Sequence, residues 1–289
     1  LLVAVTLMQN NQPMFCDVLV VGSGASGLAA AVTAAELGLD VIVAEKEPVL
    51  GGTSSWSGGW LWIPRNPLAV ADGIVEELEQ SRTYLRNELH CEVLDSRMEM
   101  FLEQGPLMVE FFQRHTDVQF FSGSQMPDFH AREGFSKGGR SVCAQPFDGR
   151  RLGPWIKKLR RPLDIISLAG MGIAGGADLN HLLNARRSPA SALYTAKRLL
   201  RHARDLIRHG RGMHLVNGNA LVARLLKSAV DRKVRLLTET PVRGLLREGR
   251  EQYASCLRRR ASAEGRKLRG LDREPRYRGS ARADLSREN

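Results

Sequence analysis

The pattern of hydrophobic and polar positions is clearest near the start of the chain. Val18 to Val21 form a short apolar run rich in β-branched residues, which is typical of a strand buried on both faces. The Ala-rich segment from Leu28 to Leu37 predicts a helix, and Gly38 suits its C-terminal end. Val41 to Ala44 predict a second strand. This order indicates a βαβ unit, and hence an α/β fold with a mostly parallel sheet.

Farther along, the pattern predicts more helices and short strands. The predicted helices span residues 73–87, 95–116, 188–209 and 219–231, of which the second is one amphipathic helix or a pair, capped by Asp95 or Ser96. The predicted strands span residues 118–121, 234–238 and 242–246. Residues 60–67, 122–162 and 162–176 predict loops. We therefore expect a helical insertion at about residues 60–215.

Three glycines follow the first predicted strand in the spacing G-x-G-x-x-G: Gly22, Gly24 and Gly27. The first permits a tight turn, the second lets a pyrophosphate approach the backbone, and the third lets the helix pack close to the strand. Glu45 ends the second strand, where a carboxylate can accept hydrogen bonds from ribose hydroxyls. The backbone N–H groups predicted to face the pyrophosphate belong to Ser23, Ala25 and Ser26. This arrangement favours a Rossmann-like dinucleotide-binding domain over a glycine-rich turn without a ligand.

A second glycine-rich segment contains Gly51-Gly52-Thr53-Ser54 and then Ser57-Gly58-Gly59. Here the chain resembles the flavoprotein family of fumarate reductases and 3-ketosteroid dehydrogenases, in which two such motifs follow the acidic residue. That family uses FAD, so the resemblance implies FAD as the cofactor. A Gly/Ser loop without a ligand is the alternative, with Thr53 and Ser54 capping a helix. The residues that the resemblance places near the second phosphate and the flavin are Gly52, Thr53, Ser54, Ser57, Gly58 and Gly59.

The resemblance continues in patches over residues 14–248. The segments 127–129, 138–141 and 146–150 are similar to the steroid-dehydrogenase branch, and 218–222 with 234–242 are similar to the family's later return to the FAD domain. The resemblance implies that the backbone near Val242 faces the adenine. Lys46 is predicted either to reach an adenosine oxygen or to be a solvated lysine.

The resemblance also implies a reaction, namely hydride transfer between FAD and a carbon next to a carbonyl. A 3-ketosteroid 1-dehydrogenase-like activity is the first expectation, and fumarate or succinate-type turnover is the second. The expected partners are a steroid-like ketone or a dicarboxylate, together with an electron acceptor. The family's tyrosine after Pro-Asp aligns with Phe129, which has no acid–base group. Arg140 is predicted either to form a structural salt bridge or to contact an anion. We assign no catalytic residue.

Composition narrows the remaining classes of function. No stretch approaches the roughly 18 apolar residues needed to cross a membrane, and residues 1–6 lack the features of a signal peptide. The four cysteines are scattered without a C-x-x-C pair, and the seven histidines lack metal-ligand spacing. We therefore expect no metal site and a reducing, cytoplasmic location.

The net charge of +11 is concentrated at the end of the chain. Residues 249–289 contain 12 Lys/Arg and 6 Asp/Glu, a net charge of +6. Such charge also suits a nucleic-acid-binding protein. No nucleic-acid-binding motif accompanies it, so we expect no specific nucleic-acid partner.

These observations predict three parts: an N-terminal extension without a fold role (residues 1–13), an FAD-binding domain (14–248) and a basic, disordered tail (249–289). The tail has only four residues of the Val/Ile/Leu/Phe/Met class, too few to order it. The family's later strands and capping domain are not recognisable in it. We therefore expect a C-terminally incomplete domain, produced by truncation or by a frameshift near Arg247 or Glu248. A nucleotide-binding remnant without turnover is the corresponding alternative.

Overall fold

The computed structural model describes the backbone of residues 5–9, 12–248 and 251–256, and the side chains of residues 14–165 and 167–244. The strands are β1 Val5–Gln9, β2 Gln12–Cys16, β3 Val18–Val21, β4 Val41–Ala44, β5 Trp60–Trp62, β6 Phe120–Ser122, β7 Ser141–Ala144, β8 Phe147–Asp148, β9 Ser167–Leu168, β10 Met171–Gly172, β11 His214–Leu215, β12 Arg235–Leu237, β13 Val242–Glu248 and β14 Glu251–Cys256. The α-helices are α1 Ala25–Glu36, α2 Pro67–Ala71, α3 Leu78–Leu89, α4 Ser96–His115, α5 Ala177–Leu183, α6 Pro189–His209 and α7 Asn217–Asp231. Short 3₁₀ helices span Gly52–Trp56, Gly149–Lys157 and Asp164–Ile166.

A three-stranded parallel sheet in the order β12-β4-β3 supports the glycine-rich loop. All four residues of the central strand β4 are buried, as its continuous apolar sequence predicts. Helix α1 connects β3 to β4 and buries Leu28, Ala31 and Val32. Because both strands are parallel, their carboxyl ends meet at one edge of the sheet. The predicted βαβ unit is therefore present, and its loop lies at that edge.

Helix α7 forms the centre of the hydrophobic core. It packs against α1, the 3₁₀ helix Gly52–Trp56 and strand β7, and most of its residues are buried. A helix covered on so many faces needs an apolar sequence, which Leu221, Val222 and Leu226 supply. Its one arginine, Arg224, is buried and donates hydrogen bonds to three backbone carbonyl groups. Burial lowers the pKa of Arg224.

The expected helical insertion proves to be mixed, because it contains an antiparallel sheet in the order β5-β7-β6. The predictions of loops at 60–67 and 122–162 were wrong where β5 and β7 form. These strands are three and four residues long, and such short runs carry too little periodicity to be recognised. Their pairing is decided by partners more than 20 residues away along the chain.

The long predicted helices agree better with the structure. Helix α4 is a single helix whose N-cap is Asp95, and its carboxylate accepts hydrogen bonds from the N–H groups of Arg97 and Met98. Helix α6 starts after Ser188, whose hydroxyl accepts from Ser191 N–H, and ends at Gly210 with a positive φ of 69°. The cap that the sequence predicted for α4 is therefore formed by Asp95, and Ser188 and Gly210 cap the two ends of α6.

Both ends of the described chain enter one four-stranded sheet, in the order β13-β14-β1-β2. Strand β1 pairs with β2 in antiparallel register and with β14 in parallel register. Residues 1–13 were expected to have no fold role, yet residues 5–9 and 12–13 lie in these strands. The tail was expected to be disordered from residue 249, yet residues 251–256 form β14 against β13. Pairing between distant segments supplies backbone hydrogen bonds that composition does not reveal. The rest of the predicted tail, residues 257–289, lies outside the described residues.

Candidate cofactor-binding site

The glycine-rich loop makes a tight turn from strand β3 into helix α1. Gly22 has a positive φ of 95°, and its N–H donates to the carbonyl of Ala44 at 2.8 Å. Gly24 is the N-cap of α1. A Cβ atom added to Gly27 would lie 2.2 Å from the carbonyl oxygen of Gly22, so only glycine allows the helix to start this close to the turn.

Glu45 is buried and closes this loop from the neighbouring strand. Its Oε2 accepts hydrogen bonds from the Ser23 N–H at 2.9 Å and from the Ser23 hydroxyl at 2.5 Å. Its Oε1 accepts from the Glu47 N–H at 3.0 Å. An ionised carboxylate has about four acceptor sites, so Glu45 retains one for a ribose hydroxyl. The expected ribose contact therefore fits, although most of this carboxylate holds the protein loop.

The second glycine-rich segment packs directly against the first. The hydroxyl of Ser54 accepts a hydrogen bond from Ala25 N–H at 3.0 Å, and the hydroxyl of Ser23 accepts from Gly51 N–H at 3.0 Å. A Cβ atom on Gly52 would lie 3.6 Å from the Cα of Gly24. The two motifs, separated by about thirty positions in the sequence, thus form one surface.

Several backbone N–H groups on this surface have no protein acceptor. Among the described residues, this holds for Gly24 and Ser26 at the start of α1, and for Gly52 and Thr53 at the start of the adjacent 3₁₀ helix. Unpaired N–H groups at the starts of helices favour a phosphate. The residues present therefore fit a dinucleotide pyrophosphate.

These groups lie in or beside one cleft with a volume of about 560 Å³. Lys46 is exposed at the cleft and forms a 3.9 Å ion pair with Glu47, so its contact with adenosine stays a prediction. Val242 at the start of β13 also lines the cleft, which suits its predicted place beside the adenine. The predicted residues that line the cleft are Gly22, Ser23, Gly24, Glu45, Lys46, Gly52, Thr53 and Val242.

Four more predicted residues lie in the two glycine-rich segments but do not line the cleft, namely Ala25, Ser26, Gly27 and Ser54. Ser57, Gly58 and Gly59 lie beyond this cleft at the start of helix α7. The N–H of Gly218 donates to the Ser57 carbonyl at 3.0 Å. A Cβ on Gly59, whose φ is 75°, would lie 2.4 Å from the carbonyl carbon of Asn217. Backbone crowding against α7 thus explains Gly59 without a ligand. The predicted approach of Gly58 and Gly59 to the flavin stays a prediction.

Ser57 also lines a smaller cavity of about 160 Å³, together with Arg211 and His214. The pKa of His214 is lowered to about 4, mainly by burial and also by the nearby Arg198 and Arg201. Burial, with Arg161 nearby, lowers the pKa of Arg211 to about 10. His214 is therefore neutral at pH 7.

Seven residues that line the larger cleft were not predicted from the sequence: Val21, Ala44, Glu47, Trp56, Arg160, Pro241 and Arg243. Trp56 lies inside the second glycine-rich segment, and its position there was an available signal. Pro241 lies beside Val242 in the segment 234–242 that carries the resemblance. Arg160 and Arg243 come from segments without a motif, and only the fold brings them to the cleft.

Arg140 has the structural role that the sequence allowed as one alternative. It is almost fully buried and pairs with Glu76 and with Asp128, the latter at 2.7 Å. Its guanidinium group also lies over the rings of Trp62 and Tyr84. The positive charge of Arg140 is paired with two carboxylates inside the protein, so this side chain is not available to bind an anion.

Phe129, which the resemblance aligns with the family's tyrosine, is 89% exposed, and the alignment itself stays a prediction. Across the described part of the chain, no three His, Cys, Asp or Glu side chains are grouped so that they could hold a metal ion. No helix in the same residues is both long and apolar enough to cross a membrane.

Comparison with known protein families indicates which class of cofactor the domain binds. The sequence profile of the family described as FAD binding domain matches residues 17–274. The chain belongs to the FAD-binding domain family. The resemblance to FAD-dependent flavoproteins is thereby confirmed, and this FAD-binding domain match extends past residue 248, where the sequence analysis ended the domain.

The curated relatives of this FAD-binding domain include dehydrogenases. The chain is 38% identical over 241 residues to 4-oxocyclohex-2-ene-1-carboxylate 5-dehydrogenase of Sinomonas cyclohexanicum, covering 83% of this chain and 40% of the relative. It is 32% identical over 231 residues to 3-oxosteroid 1-dehydrogenase of Mycolicibacterium smegmatis, covering 79% and 40%. The chain thus spans about 40% of the length of these relatives.

A solved structure shows the same fold. The 3-ketosteroid delta1-dehydrogenase from Sterolibacterium denitrificans, in complex with 1,4-androstadiene-3,17-dione, superposes with a TM-score of 0.71 and 34% sequence identity. The match covers 83% of this chain and 43% of that enzyme. The α/β fold of the FAD-binding domain is therefore shared with a ketosteroid dehydrogenase.

Proposed function

We propose that this chain is the Rossmann-like FAD-binding part of an FAD-dependent oxidoreductase of the 3-ketosteroid 1-dehydrogenase type. The observation that carries the proposal is the meeting of the two glycine-rich motifs, with unpaired N–H groups from both facing one cleft. A cleft built in this way at the carboxyl edge of a parallel sheet suits a dinucleotide.

Each group of residues has a separate task in binding. The N–H groups of Gly24, Ser26 and Gly52 would bind the pyrophosphate, because they have no acceptor among the described residues. The remaining acceptor site of Glu45 would receive a ribose hydroxyl. The backbone at Val242 would flank the adenine. When bound, FAD supplies a hydride acceptor, and the protein positions it.

The substrate class that we propose is a cyclic ketone. The two relatives act, by their names, on a 4-oxocyclohexene carboxylate and on 3-oxosteroids. Both names describe dehydrogenation of a ring that carries a ketone. Removal of hydrogen near a carbonyl is eased because the carbonyl stabilises the negative charge that develops beside it. An external electron acceptor and a cytoplasmic location are further predictions of this proposal.

The first experiment is an absorption spectrum of the purified 289-residue chain, before and after incubation with FAD and desalting. We expect a flavin band, and chromatography of the released cofactor should identify FAD rather than FMN. A protein that stays colourless after incubation would contradict the proposed cofactor.

The second experiment separates a working enzyme from a nucleotide-binding remnant. FAD-loaded protein would be assayed with a redox dye on a 3-oxosteroid, an oxocyclohexene carboxylate and succinate. We expect dye reduction with a cyclic ketone only. Reduction with succinate alone would favour the dicarboxylate reaction, and FAD binding without turnover would favour the remnant.

A further inference from the structure

Arg160 is a half-buried cation of the cofactor cleft that has no partner of opposite charge among the described residues. Arg160 lines the same cleft as Gly22, Gly24 and Gly52. Its guanidinium carbon lies 4.8 Å from the ring centre of Trp56, which also lines the cleft. Within the described part of the chain, its side chain forms no ion pair, and its buried Nε–H has no hydrogen-bond acceptor.

The buried arginines of the described chain differ from the half-buried Arg160 in this respect. Arg140 pairs with two carboxylates, and Arg211 and Arg224 donate to backbone carbonyl groups. A half-buried guanidinium without such partners is unfavourable, because its buried Nε–H loses water without gaining another acceptor. Arg160 is therefore arranged to meet an acceptor that does not come from the described protein.

The position of Arg160 is fixed by its backbone and by the ring beneath it. Its N–H donates to the Leu50 carbonyl at 2.9 Å, and its carbonyl accepts from Asn219 Nδ2 at 2.7 Å. The Trp56 indole is held by a 3.0 Å hydrogen bond from Nε1 to the Arg161 carbonyl. Stacking on this ring leaves both Nη groups of Arg160 available, and such preorganisation reduces the entropy lost on binding.

We propose that Arg160 pairs with the pyrophosphate of the dinucleotide bound in this cleft. This inference rests on the proposed function, because it assigns one more residue to the same cofactor. The guanidinium fork matches phosphate oxygens. Of the two other cations that line the cleft, Lys46 is exposed and already paired with Glu47, and Arg243 is exposed at the start of β13. Arg160 thus supplies the positive charge that the backbone N–H groups of the glycine motifs lack.

The test compares ADP with adenosine, which differ only in the diphosphate. Isothermal titration calorimetry of each would be performed on the full 289-residue chain and on Arg160→Gln and Arg161→Gln. Arg161 is the matched control, because its Nη2 donates to the Gly210 carbonyl and its contact with Trp56 uses only the backbone. We expect Arg160→Gln to weaken ADP binding by about 10- to 100-fold and to leave adenosine binding unchanged. Arg161→Gln should bind ADP like the wild type.

A salt titration provides a second measurement. The ADP affinity of the wild type should fall more steeply with KCl concentration than that of Arg160→Gln, because one ionic contact is missing in the variant. If Arg160→Gln does not fold, Arg160→Lys is used, which should retain charge but lose part of the ADP affinity.

Three results would overturn the inference. Unchanged ADP affinity in a folded Arg160→Gln would exclude the contact while leaving the FAD proposal intact. Equal losses of ADP and adenosine would show that Arg160 only supports the cleft. A wild-type chain that binds neither ADP nor FAD would contradict the proposed function itself.

Discussion

At several glycine positions in the two glycine-rich segments, the space left by neighbouring atoms determines which residue fits. Gly27 must be glycine because the first turn of α1 lies against the Gly22 carbonyl. Gly51 has a φ of 116°, and a Cβ there would lie 2.1 Å from the Ser55 hydroxyl oxygen. Gly24 differs, since its nearest neighbour would be the Ser54 hydroxyl at 3.5 Å. Protein therefore leaves more room beside Gly24 than beside Gly27 or Gly51.

Gly27→Ala tests this interpretation at the residue scale. The added methyl group would collide with the Gly22 carbonyl and displace α1 from β3, at a cost of roughly 1–3 kcal/mol in the free energy of unfolding. Urea denaturation followed by circular dichroism would measure the loss. Gly175→Ala is the matched control, because its Cβ would meet nothing within 4 Å and its φ is not positive. Equal stabilities of the two variants would refute the packing argument.

At the scale of elements, the Arg140 network joins the sheet β5-β7-β6 to the segment before helix α3. Arg140 precedes β7, Glu76 precedes α3, and Asp128 lies in the loop after β6. Asp128 also accepts from the Trp62 indole of β5 at 2.8 Å. These charges are buried but mutually satisfied, which is the condition under which burial of ions is tolerated.

Arg140→Met should therefore destabilise the chain more than removal of an exposed arginine. It leaves Glu76 and Asp128 as buried charges without a partner, which we expect to cost about 3–5 kcal/mol in the free energy of unfolding. Arg114→Met removes an exposed i,i+4 pair with Glu110 and should cost under about 1 kcal/mol. Urea unfolding would measure both. Similar losses in the two variants would count against the role of the network.

The strand β11 carries a pH-dependent contribution to stability through His214. The pKa of His214 is lowered from 6.5 to about 4, first by burial and then by Arg198 and Arg201. As the pH falls from 6.5 toward 4, the unfolded chain binds this proton before the folded chain does. Stability is therefore lost across that window, and above pH 6.5 the group has no effect.

His214→Gln should reduce this pH dependence. We expect its stability to fall less between pH 6.5 and pH 4 than that of the wild type, by roughly 1–3 kcal/mol once partial solvent exposure is allowed for. Urea unfolding at several pH values would measure the difference, with the exposed His209→Gln as control. Parallel pH profiles for the wild type and His214→Gln would contradict the assignment.

At the scale of the whole molecule, the cleft is assembled from segments across the described chain. Its walls come from the β3–α1 loop, the end of β4, the 3₁₀ helix Gly52–Trp56, Arg160 and the start of β13. A ligand that bridges these segments binds the folded state and not the unfolded one. Binding should therefore stabilise the whole domain by mass action.

FAD should raise the melting temperature of the chain in a concentration-dependent way. At 100 times its dissociation constant, a ligand specific for the folded state adds about 2.7 kcal/mol. Differential scanning fluorimetry over a range of FAD concentrations would measure the shift, with riboflavin as the control because it lacks the pyrophosphate and adenosine. An equal shift with riboflavin would locate the stabilisation outside the cleft described above.

The sequence by itself determined the features that depend on neighbours along the chain. The β3–α1–β4 unit, the glycine turn and the caps of α4 and α6 follow from apolar periodicity and from residues within a few positions. The motif spacing also identified the FAD-binding family, because both glycine segments are short and local. Such signals can be recognised without knowledge of the fold, because local backbone geometry requires these residues at these positions.

Only the tertiary structure decided which distant surfaces meet. Three contacts join segments that are far apart in sequence: β1 pairs with β14, the Ser23 hydroxyl donates a hydrogen bond to Glu45, and Arg160 stacks on Trp56. No local pattern specifies these contacts, because each depends on the packing of the whole core between the segments. The glycine-rich turn was therefore predictable from the sequence, whereas the arginine beside it became visible only in the folded structure.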